Sequence, residues 1–410
     1  MEQEYRLWSR QFVSVLAVEF GVSIGFFMLY STIGIYAKSM TSIELYIGIV
    51  TGIFTFASLF TRLFSGGMMK RLSCKKVMLF GIGLSLLSYV GYSFADSLPV
   101  LIGVRMLNGL GYGFASAAMT TMISSMLPSA RLLEGLGYSM MMITLCAAIG
   151  PTVGLTISQS NPERFWMVFL VAVLVTAVTL LLGCTIKDSP LPASEPVQSP
   201  QAGVPAGKKR LPYFTLAPVC ILIISFFMSL IHTSVTACLN LYALEEAFGN
   251  MSLFFILFSC VNFLCRLFSG RIYRVFSERQ VLVGINAILV LFCAGVFAAP
   301  NQYWIFVLAM PFGLVMGLYY PLVSAKILRS MPKSEQGTSN NLMLATQDIA
   351  GTIGAVFWAG LAGWLGGYRI VYLAAALFSV LLLVIVLVYP SILKCWLATA
   401  SCVGLLFLAA

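Results

Sequence analysis

The chain has 410 residues, of which 60% are hydrophobic and only 9% are charged, and its mean hydropathy is +0.96. Soluble domains carry about 25% charged residues, so this composition excludes a water-soluble enzyme, a nucleic-acid-binding protein and a disordered chain. Lys and Arg outnumber Asp and Glu by 24 to 14. In a membrane protein such an excess reports the orientation of the loops rather than affinity for nucleic acid.

Apolar runs of about 20 residues, the length needed to cross a bilayer as a helix, recur twelve times along the chain. They predict an all-α membrane protein with twelve transmembrane helices in two pseudo-symmetric halves of six. The predicted spans are 11–37, 45–66, 77–95, 98–126, 136–158, 165–186, 214–243, 250–270, 281–299, 302–328, 339–364 and 370–393. The segment before the first span is short and of mixed charge, so we expect no cleavable signal sequence.

One long break, rich in Pro, Ser, Ala and Gly, separates the sixth span from the seventh. Its composition is that of a flexible linker. We therefore expect an N-terminal half at 1–186, a cytoplasmic linker at 187–212, a C-terminal half at 213–394 and an apolar tail at 395–410. The tail is short for a thirteenth span, and we expect it to lie at the lipid surface.

The positions of Lys and Arg predict the orientation of the chain. If both termini are cytoplasmic, 20 of the 24 basic residues fall in cytoplasmic loops or at the inner helix ends. Only three then lie outside, namely Lys38, Arg164 and Arg369, while Arg105 lies within a span. The asymmetry favours this orientation.

An internal repeat relates the two halves. The five residues of 62–66 recur unchanged at 266–270, an offset of 204. The same offset relates further landmarks, which are Gly109, Leu110, Gly113, Pro128, Ile149 and Gly150 in the first half and Gly313, Leu314, Gly317, Pro332, Ile353 and Gly354 in the second. Parallel repeats of six spans place a binding site near the midplane between the halves, so the repeat predicts a transporter.

The loop after the second span resembles the signature loop of the major facilitator superfamily, G-x-x-x-D-R-x-G-R-R-x-V. Gly66, Arg71 and Lys75 match this pattern, while Lys70 stands in place of the acid and Ser73 in place of the second glycine. A fainter copy in the second half contains Gly270 and Arg274. The resemblance implies that this loop acts in gating, and it implies a transporter that rocks one half against the other.

A second motif lies in the fourth span, where Arg105, Asn108 and Gly109 resemble the family pattern R-x-x-Q/N-G. The resemblance implies that the arginine takes part in coupling transport to protons. A guanidinium in the middle of a bilayer costs at least about 2.5–3.5 kcal/mol. We therefore expect Arg105 to face a cavity or a carboxylate, with a structural charge beside a carbonyl as the alternative.

A third motif lies in the fifth span, where Gly150, Pro151 and Gly154 resemble the antiporter pattern G-x-x-x-G-P-x-x-G-G. Small residues permit close helix packing, and proline bends a helix. In the family this pattern marks exporters, and the resemblance as a whole is to bacterial drug:proton antiporters. It implies a location in the bacterial cytoplasmic membrane.

Two acids lie within predicted spans, Glu19 in the first and Asp348 in the eleventh. Carboxyl groups inside a membrane commonly exchange protons as access to the two sides alternates. We expect Glu19 to pair with Arg105, as the resemblance implies. Asp348 is the alternative proton site, or an anion for a cationic substrate; structural hydrogen bonding is the alternative for both acids.

Candidate substrate contacts are polar or aromatic residues within the spans. They are Phe26, Tyr30, Asn108, His232, Asn240, Asn262, Tyr319, Gln347 and Trp358. An imidazole can exchange a proton near neutral pH, although a lone histidine more often bridges helices. Most aromatic residues in such a chain face lipid or the protein core.

The sequence contains no nucleotide-binding loop, only one His and ten dispersed Cys. We therefore expect no ATP-driven pump, no metal site and no cofactor. The expected partners are a small molecule, protons and the lipid bilayer, with no nucleic acid, and the chain is expected to be a monomer.

These features predict a proton-coupled transporter that exports a small amphiphilic molecule, either a drug-like compound or a metabolite, and that is not an enzyme. Two alternatives remain open. One is an importer, symporter or uniporter of a small polar metabolite with the same fold. The other is a membrane enzyme or sensor built on a transporter scaffold.

Overall fold

The computed structural model describes residues 8–127, 132–160, 165–188, 216–329 and 336–408. The predicted linker beyond residue 188 lies outside this part of the chain, as do Pro128 and Pro332 of the repeat.

Throughout the described residues the regular structure is α-helical, and twelve helices are long and apolar enough to cross a membrane. They are α1 Arg10–Lys38, α2 Glu44–Leu72, α3 Cys74–Tyr92, α4 Leu98–Met126, α5 Leu132–Ser160, α6 Phe165–Thr185, α7 Leu216–Glu245, α8 Ser252–Val275, α9 Glu278–Phe297, α10 Gln302–Arg329, α11 Gln336–Leu365 and α12 Tyr368–Leu408. The predicted fold class is confirmed, and the chain is a multi-pass membrane protein.

The last helix differs most from the prediction. The sequence placed its end near residue 393, whereas α12 continues unbroken for 41 residues to Leu408. The reason is physical: a charge such as Lys394 ends an apolar run, but lysine is a good helix former and does not end a helix.

The two halves repeat one packing plan. In the first half α1 packs on α5 and α6, α4 packs on α2 and α3, and α3 packs on α6. In the second half α7 packs on α11 and α12, α10 packs on α8 and α9, and α9 packs on α12. Each contact maps onto its counterpart by adding six to the helix number, as a duplication requires.

Three seams join the halves, formed by α2 with α11, α5 with α8, and α1 with α7. We call the end of the bundle where α2 meets α3 the basic end, and the end where α1 meets α2 the acidic end. The α1–α7 seam lies towards the acidic end, where Asn240 Nδ2 donates to the Ser31 carbonyl at 2.8 Å. Among the described residues no comparable seam joins α4 to α10. The halves are therefore held together most closely at the acidic end.

The turn between α2 and α3 contains a strained residue. Ser73 has a φ of 76° and a ψ of 153°, a conformation that is essentially restricted to glycine. Its hydroxyl is buried and has no hydrogen-bond partner. This is the position where the signature loop normally has glycine, so the departure from the family pattern corresponds to a real conformational cost.

Replacing Ser73 by Gly is expected to raise the free energy of unfolding by about 1–3 kcal/mol, because glycine adopts this backbone conformation without a Cβ clash. The measurement is thermal unfolding of the purified protein in detergent. The control is Ser93→Gly, since Ser93 ends α3 in a right-handed conformation with φ −68°. Equal shifts for the two variants would contradict the strain at Ser73.

Candidate functional site

Arg105 lies on α4 and is fully buried. Its Nη1 donates to Asn108 Oδ1 at 3.3 Å, and Asn108 Nδ2 donates to Ser88 Oγ at 2.9 Å. The other two guanidinium nitrogens, Nε and Nη2, have no hydrogen-bond partner. Within the predicted motif, the side-chain amide of Asn108 therefore orients the guanidinium of Arg105.

Aromatic rings surround one face of this arginine. The guanidinium carbon lies 4.6 Å from the centre of the Phe54 ring and 5.9 Å from that of Tyr30. Phe26 stacks on Phe54 at 5.0 Å and on Tyr112 at 4.6 Å, measured between ring centres. We call Phe26, Tyr30, Phe54 and Tyr112 the aromatic cluster; its rings come from α1, α2 and α4.

Glu19 lies on α1 and is 5% exposed. Ser139 Oγ on α5 donates to Glu19 Oε1 at 2.8 Å, while Oε2 has no partner. The predicted contact between Glu19 and Arg105 is not formed. Glu19 lies 19 residues from the end of α1 at Lys38, and Arg105 lies seven residues from the start of α4. At 1.5 Å per residue these positions lie about 28 Å and 10 Å from the acidic end.

Asp348 forms an ion pair across the boundary between the halves. Arg62 Nε on α2 lies 2.7 Å from Asp348 Oδ2 on α11, and both side chains are largely buried. By the same count the two residues lie about 25–27 Å from the acidic end, at the depth of Glu19. We call Glu19, Arg62 and Asp348 the Asp348 level.

The repeat counterpart of Arg62 has different partners. Arg266 Nε donates to Asn262 Oδ1 at 3.0 Å on its own helix, and Nη1 donates to the Met140 carbonyl of α5 at 3.5 Å. The residue at the repeat position of Asp348 is Thr144. Among the described residues, this ion pair therefore occurs at the α2–α11 seam and is not repeated at the α5–α8 seam.

Several predicted substrate residues make structural contacts instead. Asn240 joins α7 to α1, and Asn262 accepts from Arg266. In the second half Trp358 Nε1 donates to the Leu230 carbonyl at 2.8 Å, and the Tyr319 hydroxyl donates to Ser225 at 3.3 Å. Both rings are completely buried.

Two further predicted substrate residues, His232 and Gln347, also lie in the second half. The His232 ring stacks on Phe312 with its centre 6.0 Å from that of the phenyl ring. Gln347, beside Asp348, has a buried Nε2 without a partner. Thus the structure brings together Arg105, Asn108, Tyr30 and Phe26. It places Glu19 at the same depth in the bundle as Asp348 and its neighbour Gln347.

The glycines of the second and third motifs act in packing. A Cβ on Gly150 would lie 2.7 Å from Phe27 Cβ and 2.9 Å from the Met28 nitrogen, so α5 approaches the α1 backbone closely there. Gly154 meets the Met28 carbonyl in the same way, on the far side of Pro151, which lies inside α5. Gly109 brings α4 against α2 at the Phe54 carbonyl.

The signature-loop residues lie at the basic end. Gly66 and Gly270 face open space, and Arg71 is exposed. Lys75 Nζ donates to the Cys184 carbonyl at 2.8 Å, near the end of α6, and Arg274 Nε donates to Gly270 at 3.2 Å. A cation at a helix carboxyl terminus is stabilising, so Lys75 ties the loop to its own half.

A polar cluster joins the halves at the acidic end. Glu44 pairs with Lys38 at 3.2 Å and accepts a hydrogen bond from the Tyr368 hydroxyl of the other half. The backbone nitrogen of Tyr368 donates to Glu245 Oε2 at 2.7 Å. We call these four residues the acidic-end latch. A cleft of about 440 Å³ beside the latch is lined by residues of both halves.

Sequence reasoning missed Arg62, Ser139, Phe54, Tyr112 and Tyr368 as site residues. For Arg62 a signal existed, because a charge 18 residues into the 29-residue helix α2 lies within the apolar layer. The others are ordinary apolar or hydroxyl residues whose importance comes from their neighbours. Among the described residues no group of His, Cys, Asp and Glu is arranged to hold a metal ion.

Comparisons with known proteins agree with this architecture. A family model described as the Major Facilitator Superfamily matches residues 15–355 and, again, 251–393. A relative in Aspergillus fumigatus, the major facilitator superfamily multidrug transporter mfsB, is 30% identical over 119 residues. The matched segment covers 28% of this chain and 19% of that protein.

Solved structures of three transporters share the fold. The nucleoside transporter NupG has a TM-score of 0.74 at 13% identity over 92% of this chain and 98% of that one. A D-xylose-proton symporter has a TM-score of 0.70 at 14% identity over 90% and 96%. A POT family transporter in complex with 5-aminolevulinic acid has a TM-score of 0.76 at 13% identity over 93% and 96%.

The ion pair between Arg62 and Asp348 yields a prediction for a double-mutant cycle. Arg62→Gln and Asp348→Asn are each expected to lower the free energy of unfolding, because each leaves a largely buried charge without its partner. The double variant should lose less free energy of unfolding than the two single variants lose together. The difference is a coupling energy of about 0.5–3 kcal/mol. Chemical unfolding in detergent measures the cycle.

The control replaces Arg266, the repeat counterpart, by Gln. Its effect should add to that of Asp348→Asn within about 0.3–0.5 kcal/mol, since the two side chains share no partner. A coupling energy near zero between Arg62 and Asp348 would contradict the ion pair.

Proposed function

The chain belongs to the major facilitator superfamily, and we propose that it is a proton-coupled transporter that exports a small amphiphilic molecule by alternating access. That it is a transporter rather than an enzyme follows from the family and from the transporters that share its fold. The observation that carries the finer proposal is the ion pair between Arg62 and Asp348, which joins the two halves at the depth of a second acid, Glu19.

This arrangement couples a proton to movement of the halves. An ionised Asp348 holds α11 to α2 through Arg62, whereas a protonated Asp348 has no charge with which to hold it. Rocking the halves changes the separation of these helices, so the carboxyl gains or loses a proton as the pair opens or closes. Glu19, held only by the hydroxyl of Ser139, is the second proton site.

Arg105 enters this scheme differently from its predicted role. It does not contact Glu19, and about 15 Å along the helix axes separates it from the Asp348 level. Direct exchange of a proton between this guanidinium and either acid is therefore not part of the proposal.

We infer that the basic end faces the cytoplasm of a bacterial cell, with both termini on that side. The support is the excess of Lys and Arg in the loops of that end. In this orientation the acidic-end latch lies on the outer side of the membrane, where it joins the two halves.

Export rather than import is supported by two observations. Gly150 and Gly154 let α5 pack directly on α1, as the antiporter-type motif requires. The relative mfsB is named a multidrug transporter. The aromatic cluster, which lies between Arg105 and the Asp348 level, provides an apolar surface for an amphiphilic substrate.

Proton release from the purified protein tests the coupling. A panel of lipophilic cations, zwitterions and aromatic carboxylates is added to weakly buffered protein, and the pH of the solution is recorded. We expect a ligand to release protons from wild type, and Asp348→Asn or Glu19→Gln to reduce that release by at least about half. Ligands that bind every variant without proton release would favour a uniporter.

Everted vesicles then determine the direction of transport, using the ligand that releases protons. An exporter accumulates it only when the vesicle lumen is acidic. Accumulation only when the exterior is acidic would instead identify a symporter, the alternative function.

The acidic-end latch gives an independent prediction of the conformational equilibrium. Tyr368→Phe removes one hydrogen bond to the Glu44 carboxylate, and such bonds contribute about 1.5–3 kcal/mol. We therefore expect amide exchange at the α1–α2 and α11–α12 turns to become about tenfold faster or more, as measured by mass spectrometry. Tyr303→Phe, at an exposed tyrosine of α10 near the same end, should leave exchange there unchanged. Unchanged exchange in Tyr368→Phe would contradict the latch.

A further inference from the structure

The guanidinium of Arg105 is a buried cation without a counter-ion. It is 0% exposed, and its one hydrogen bond goes to a neutral amide. Arg105 forms no ion pair with any carboxylate among the described residues, where Asp348 is paired with Arg62 and Glu44 with Lys38. Burying an unpaired charge is costly, and buried charges in proteins are normally paired.

The two unpartnered nitrogens form one edge of the guanidinium. Nη1 is used by Asn108, which leaves Nε and Nη2 free. The N–H of Nε and one N–H of Nη2 point in parallel along that edge. A carboxylate accepts two parallel hydrogen bonds from such an edge, and this bidentate contact is the strongest and most directional that arginine makes.

Three neighbouring aromatic residues leave the free edge of Arg105 available to a ligand. The buried Tyr92 hydroxyl lies beside Arg105 and interacts with its guanidinium, although no hydrogen bond of full geometry joins the two groups. The rings of Phe54 and Tyr30 stabilise the cation through their faces, but they accept no hydrogen bond from the free edge in its plane.

We propose that the free edge of Arg105 binds a carboxylate of the transported molecule, whose apolar or aromatic part lies against the aromatic cluster. This inference rests on the proposed transport function and names its substrate class: an amphiphilic carboxylate. Tyr112 lies seven residues, or about two turns, beyond Arg105 on α4. A ligand that enters from the basic end thus meets the rings first and the guanidinium last.

The test uses the full-length protein in detergent and two probes of nearly the same shape, the anionic 1-naphthaleneacetate and the neutral 1-naphthaleneacetamide. Binding is measured by calorimetric titration at one pH. Wild type is expected to bind the carboxylate at least about tenfold more tightly than the amide, because only the anion satisfies both free N–H groups and the charge. Equal affinities, or no binding of the carboxylate at millimolar concentration, would overturn the proposal.

Variants at Arg105 test whether this arginine causes the preference for the carboxylate probe over the amide probe. Arg105→Gln should bind the carboxylate only as weakly as the amide, and Arg105→Lys should keep part of the preference, since lysine retains the charge but not the planar fork. Arg266→Gln, which removes a different largely buried cation, should leave the preference intact. A preference that persists in Arg105→Gln would also overturn the proposal.

Stability without ligand provides a second readout. Because Arg105 has no counter-ion in this state, Arg105→Gln should melt no lower than wild type, as is common where a binding site is strained for function. A melting temperature several degrees lower, with equal affinity of wild type for the two probes, would assign a structural role. Neither readout involves a proton gradient. Carboxylate binding at Arg105 can therefore fail while proton release still depends on Asp348. Equally, proton release can fail while the carboxylate still binds at Arg105.

Discussion

The arrangement of charge inside a low-dielectric bundle is the constraint on which the rest of this structure depends. Each charge within the membrane must find a partner or remain costly. Asp348 and Arg62 form an ion pair between the halves, and Glu19 accepts a hydrogen bond from the Ser139 hydroxyl. Arg105 has only an amide and ring faces. Because α2 and α11 belong to different halves, the pair of Arg62 and Asp348 is one of the contacts that join them.

The two halves share one packing plan, but the two seams that the repeat relates, α2–α11 and α5–α8, are unequal. The α2–α11 seam has an arginine facing an acid, whereas the α5–α8 seam has Arg266 facing a carbonyl, with Thr144 where the acid would be. In the proposed mechanism the α2–α11 seam responds to protonation of Asp348, whereas the equivalent position of the α5–α8 seam holds Thr144 and no acid.

The sequence predicted the twelve spans because apolar length is a local property, and the offset of 204 predicted their pairing into halves. It could not predict the contact between Arg62 and Asp348, 286 positions apart, since that requires the lateral order of the helices. Counting residues from the helix ends would already have placed Glu19 at the depth of the ion pair and well away from the depth of Arg105. The Glu19–Arg105 pairing came from resemblance alone, and the helix boundaries contradict it.

The distance between Arg105 and the Asp348 level resolves an apparent conflict between the two proposed roles, binding of an anionic substrate and binding of a proton. A proton and an anion bound close together stabilise each other, which favours joint transport rather than exchange. At about 15 Å and an effective dielectric constant of about 20, however, two unit charges interact by only about 1 kcal/mol. Exchange can then be governed by the movement of the halves. Moving one proton inward and one monoanion outward carries two charges down the membrane potential, worth about 4.6 kcal/mol per 100 mV.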